Sequence, residues 1–230
     1  MSPLDPNSNK LLAALPREDY ERLVQQSTVI WLPQGTVLCE ADDEVSEVYF
    51  PLSGMISLVI MMKTGKAIET ATVGYEGVVG AMAGLGVYIS SVRAIVQVTS
   101  TVCRVPAPAY RRLTAASPVI ANLSVQYNEV LLSQARITAA CNALHPIERR
   151  FCRWLLQTSD RTRGDTITLT QEFLSEMLGV RRTSVTEVAG KVQALGLISY
   201  SRGAIKILDR ESLKARSCEC YETLRERAPA

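Results

Sequence analysis

The sequence predicts an α+β protein with a β-roll or jelly-roll first, one long helix next, and a small helical domain carrying a β-hairpin last. Three patterns carry this reading. Seven short β-branched or aromatic runs fall between residues 28 and 105. Apolar residues then recur at alternating spacings of three and four from Ile120 to Cys141. Two short helical patterns joined by a glycine turn, followed by a hairpin pattern, occupy residues 165–207.

The elements follow in order. Residues 10–26 place Leu11, Leu12, Leu15, Tyr20, Leu23 and Val24 roughly on one helical face, with Pro16 restarting the helix. The runs TVIWL, TVLCE, EVYF, MISLVI, AIETATV, RAIVQV and TVCRV are separated by turn residues, as in a sandwich or roll. Val73 to Gly86 holds five glycines in fourteen residues, which allows a close backbone approach or a tight bend. After Pro106 and Pro108, the residues Ile120, Leu123, Tyr127, Val130, Gln134, Ile137 and Cys141 form an a/d seam. A helix pair between two copies of the chain is the favoured reading, with Gln134 fixing register. The plainer one is a single helix packed on its own domain. His145-Pro146 breaks the helix and starts another, IERRFCRWLLQTSD. The domains are therefore drawn at 1–108 for the roll, 109–144 for the dimerisation helix and 145–230 for the last domain.

Composition narrows the function. Hydrophobic residues make up 47% and charged residues 21% of the 230, which suits a packed core. The longest apolar stretch, Ile56 to Met62, contains Ser57 and falls short of a membrane span. The first ten residues carry no basic-then-apolar signal, so a cytoplasmic location with no membrane partner is expected. His145 is the only histidine, which argues against His-rich metalloenzymes and a Ser-His-Asp site; no enzyme is expected. The six dispersed cysteines read as reduced thiols. Residues 1–144 carry 10 basic against 12 acidic side chains, and residues 145–230 carry 15 against 11. A polyanion is therefore sought in the second part.

In that part, Thr170 suits the N-cap of QEFLSEML, Gly179 ends that helix, and RRTSVTEVAGKVQALG forms a second one closed by Gly196. With the hairpin around Ser201-Arg202-Gly203, this is the order of a winged helix-turn-helix. The outward start of the second helix carries Arg181, Arg182, Thr183, Thr186 and Glu187, side chains that can read base edges in a major groove. Thr170, Gln171, Ser184, Lys191 and Arg202 are candidates for phosphate. A helical hairpin with an ordinary solvated face is the competing reading.

Residues 147–210 resemble the DNA-binding domain of the Crp/Fnr superfamily of bacterial transcription regulators, through IERRFCRWLL, ITLTQEFLSEMLGVRRTSVTEVAGKVQALGLISY and RGAIKILDRESL. The order of roll, long helix and winged helix extends the resemblance over nearly the whole chain. It implies a homodimer on a pseudo-palindromic double-stranded DNA operator, with RNA polymerase as a further partner if it activates. In the family pattern, Arg182 matches the first arginine and Ser184 the threonine. Thr183 stands where a glutamate is usual and Glu187 where a second arginine is usual, so an atypical half-site is expected. Glu187 either reads cytosine or repels phosphate.

The resemblance also implies an effector pocket in the roll at Gly80, Ala81, Met82 and Arg93. Ala81 replaces the usual ribose-binding glutamate, so cyclic AMP of the usual kind is not expected. An Fnr-type iron–sulfur cluster lacks its N-terminal cysteines, and a haem lacks an axial histidine in the roll. Inert thiols are the default reading and no metal is assigned; Cys141, His145, Cys218 and Cys220 are weak candidates for a redox pair or soft-metal site should they converge. The alternative function is a small-molecule-binding regulatory module whose DNA contact is incidental.

Overall fold

In the computed structural model, which describes residues 5–201 and 203–227, a 3-10 turn (Pro6–Ser8) leads into α1 (Lys10–Ala13) and α2 (Arg17–Gln25). Asn9 anchors this entry. Its Oδ1 accepts from the Leu11 and Leu12 amides, and its Nδ2 donates to the Pro51 and Gly77 carbonyls. The buried amide is thus satisfied on both sides.

The roll consists of β1 (Thr28–Leu32), β2 (Val37–Cys39), β3 (Glu47–Pro51), β4 (Met55–Met61), β5 (Ala67–Val73), β6 (Arg93–Val98) and β7 (Ser100–Pro106). They form two antiparallel sheets, ordered β1-β7-β3 and β2-β6-β4-β5. Between β5 and β6 the glycine-rich segment forms a second 3-10 turn, Ala81–Leu85, flanked by Gly80 and Gly86 at positive φ. Close approach matters most at Gly77, where a Cβ would stand 1.8 Å from the Tyr127 hydroxyl.

Helix α3 (Ala107–Ala116) leads to the 27-residue α4 (Pro118–Leu144), whose N-cap Ser117 accepts from the Ile120 amide and donates to Asp19. The seam expected between two copies instead faces this chain's own roll. Ile120 and Tyr127 are buried in the roll core, Leu123 and Val130 pack against it, and Ile137 packs on Cys141, Cys218 and Cys220. Gln134, expected to fix register in that seam, is turned to β5. Its Oε1 accepts from the Thr72 amide and its Nε2 donates to the Thr72 carbonyl. Strand β5 is a sheet edge, and the glutamine amide pairs the backbone groups that edge leaves open.

The last domain contains α5 (Ile147–Thr162), β8 (Thr166–Thr168), α6 (Gln171–Leu178), α7 (Arg182–Ala194), β9 (Ile198–Ser201), β10 (Ala204–Ile207), α8 (Arg210–Arg216) and α9 (Cys220–Glu226). Strands β8-β10-β9 form the small sheet. The core gathers Phe151, Trp154, Leu155, Leu174, Val185 and Val192, and it continues into Met55 and Val59 of β4. The roll and the last domain thus share an apolar interface. Polar links cross it too, among them Gln34 Nε2 donating to the Thr168 carbonyl at 3.2 Å. Glu69 of β5 accepts from Trp154 Nε1 at 2.9 Å and Ser57 Oγ at 2.6 Å, and Glu76 pairs with Arg161 at 2.8 Å.

Candidate nucleic-acid interface, effector cavity and thiol cluster

The helix-turn-helix is built by local chemistry. The Thr170 hydroxyl accepts from the Phe173 amide, giving α6 its N-cap. Gly179 turns the chain at φ +62°, with its α-carbon against Ile68 of β5; a Cβ there would meet Ile68 Cδ1 at 2.9 Å. Helix α7 buries Val185, Val188, Ala189 and Val192. This leaves Arg181, Arg182, Thr183, Thr186 and Glu187 exposed, with Ser184 half-buried. Gln171 Oε1 accepts from Thr186 Oγ1 at 3.0 Å and from Arg182 Nε at 3.4 Å, so α6 orients the start of α7. Glu187 and Lys191 pair at 2.7 Å one turn apart, which lowers the pKa of the glutamate and raises that of the lysine. An open groove beside this face is lined by Thr170, Gln171, Arg182, Tyr200, Ser201 and Gly203. Arg202 lies outside the described residues.

In the roll, a cavity of about 310 Å³ opens beneath α4. Gly80, Ala81 and Met82 line it, as do Leu58, Val79, Val92, Tyr127 and Leu131. Arg93 does not, which corrects the expectation that it belongs to an effector pocket. Its guanidinium is held by Glu40 in two hydrogen bonds of 2.7 and 2.8 Å. The carboxylate engages Nε and one Nη and balances the guanidinium's charge. Among the described residues no lysine, arginine or histidine lines the cavity, and Glu47 contributes a carboxylate. The Tyr127 hydroxyl is buried without a partner among the described residues, and burial pushes its pKa well up.

The four dispersed thiol and imidazole candidates converge. Cys141 lies in the last turn of α4, His145 follows that helix, Cys218 lies in the turn between α8 and α9, and Cys220 opens α9. Their ligand atoms all lie within 4.8 Å of one another. The sequence offers these four as candidates only should they converge; their meeting depends on how the last domain folds back.

Comparisons with known proteins agree with this architecture. The family described as cyclic nucleotide-binding domain matches residues 29–117, and the Crp-like helix-turn-helix domain matches residues 149–216. No curated protein sequence matches the chain. Among solved structures, a protein of the crp/fnr family from Eubacterium rectale ATCC 33656 superposes with a TM-score of 0.71 at 18% identity, covering 91% of this chain and 98% of that one. FixK2 from Bradyrhizobium japonicum gives 0.71 at 14% identity, covering 84% and 98%. The c-di-GMP responsive global regulator CLP from Xanthomonas campestris gives 0.68 at 17% identity, covering 84% and 99%. At such identities these structures speak for the fold, while the two matched domains speak for descent. With a cyclic nucleotide-binding domain, a long helix and a Crp-like helix-turn-helix in that order, the chain belongs to the Crp/Fnr family of DNA-binding transcription regulators.

Proposed function

We propose that the protein binds a pseudo-palindromic operator as a homodimer, with α7 of each copy in successive major grooves. The exposed, polar start of α7 carries this reading. Arg181, Arg182, Thr183, Thr186 and Glu187 contact base edges. Thr170, Gln171, Ser184 and Lys191 contact phosphates, and Arg202 is assigned there from the sequence. Arg182 is the guanine reader, and Thr183 and Glu187 shift the preferred half-site away from the family's usual ones. The protein acts in the cytoplasm as a regulator with no catalytic role of its own, and RNA polymerase is its further partner where it activates.

The dimer seam is the outer line of α4: Ala121, Val125, Asn128, Leu132, Ala135 and Ala139. These positions alternate by four and three, as a helix pair requires. Val125 is 53% and Leu132 41% exposed in the single chain, large apolar side chains that a second α4 would cover.

The cavity supports regulation by a small uncharged molecule. Its walls are mostly apolar, and with Arg93 held by Glu40 a cyclic phosphate finds no cation there. Selection of binding sites from random duplexes, with footprinting of the winners, tests the main reading. Two-fold related half-sites about one helical turn apart are expected. Retention of the selected duplexes without sequence preference would leave the module reading, in which the cavity is the main function.

A further inference from the structure

We propose that Cys141, His145, Cys218 and Cys220 bind one zinc ion, which fastens the end of α4 to the end of the DNA-binding domain. None of the four lines the cavity or belongs to the base-reading face. Cys141 Sγ lies 3.5 Å from Cys218 Sγ, and Cys220 Sγ lies 3.6 Å from His145 Nδ1. Tetrahedral zinc with bonds of about 2.0–2.3 Å requires ligand atoms roughly 3.6–3.8 Å apart. A two-iron cluster would spread its four ligands over two metals, farther apart than the 4.8 Å that bounds every pair here.

Two further observations point to a metal. Imidazole Nε2, the nitrogen facing away from the thiols, lies 3.1 Å from Glu219 Oε1. This is the carboxylate–histidine pairing that fixes the tautomer and ring plane of a metal ligand. Second, three thiolates and a neutral imidazole around Zn²⁺ leave one net negative charge. Arg150 and Arg153 of α5 are buried with unpartnered Nε atoms, and neither forms a close ion pair among the described residues, though the charge of Arg153 also acts on Glu69. Both interact electrostatically with this thiol cluster. Binding is non-redox: each thiol gives its proton to solvent and its sulfur lone pair to the metal.

The ion would join residues on either side of the whole helix-turn-helix unit, setting the pose of that unit on α4. The test uses the full chain purified without oxygen from zinc-supplemented cells. The expected result is about one zinc per chain that survives dialysis. Replacement by Co²⁺ should give the intense visible bands and ultraviolet thiolate charge transfer of a tetrahedral sulfur site. Cys220→Ser should lose the metal, and Cys39→Ser should retain it. Should Cys220→Ser not fold, competition of the reduced wild type against a chromogenic chelator supplies the readout, with zinc withdrawn from the chelator as the expected result. A reduced wild type that takes up no zinc would overturn the proposal. So would iron with acid-labile sulfide, a Cys141–Cys218 disulfide as the purified state, or zinc retained by Cys220→Ser.

Discussion

Glu69 makes the stability of this protein depend on pH in the direction opposite to that of ordinary carboxylates. Its side chain is buried between β5 and α5, and burial pushes its pKa from 4.5 up to about 7. The hydrogen bonds from Ser57 and Trp154 pull the other way and do not win. The folded state therefore holds the proton more tightly than the unfolded chain. Below about pH 4.5 both states are protonated and the full contribution is present. As pH rises towards 7 the unfolded chain releases its proton first, and stability falls. Above about pH 7 the loss is complete. The gap corresponds to about 3 kcal/mol, or roughly 6–12 °C in melting temperature for a chain of this size. Other carboxylates titrate over the same range, so the measurement is a difference: denaturant unfolding of wild type and Glu69→Gln at matched pH values from about 4.5 to 8. Glutamine can accept from Trp154 and donate to Ser57, keeping both contacts. The wild type should lose up to about 3 kcal/mol relative to the variant across that span. A difference that stays flat, or that favours the wild type as pH rises, would refute this account of the interface.

Three further outcomes are expected. Arg182→Ala should reduce discrimination between operator and random duplex by about 1–3 kcal/mol, measured by competitive gel shift; unchanged discrimination would remove Arg182 from base reading. Leu132→Glu should shift sedimentation towards the monomer while leaving the helical circular dichroism intact, whereas a persistent dimer would move the seam elsewhere on the surface. Gln134→Ala should leave the Thr72 amide and carbonyl unpaired and cost about 1–3 kcal/mol in denaturant unfolding, with no change in dimer affinity.

The helix-turn-helix was legible because its determinants are local. Thr170, Gly179, Gly196 and the spacing of Val185, Val188 and Val192 lie within a few residues of what they control. Arg93 and Gln134 escape a local reading for the opposite reason. Their partners, Glu40 and Thr72, lie 53 and 62 residues away, and no local pattern announces them. The seam on α4 breaks a rule that usually serves well. The most apolar line of a long helix is expected to meet another helix, but here it meets the roll, and a line of alanines and lone larger residues is left outside. The thiol cluster was half legible: each half had its own spacing, but the 77-residue separation of Cys141 and Cys218 hid their meeting.

The chain enters its DNA-reading domain after Cys141 and returns to the same spot at Cys218, sulfur to sulfur in 3.5 Å. The two ends of that domain therefore meet at one place on α4, while its core also rests on Met55 and Val59 of β4. Such a unit can be exchanged for another cassette with little repair to the host.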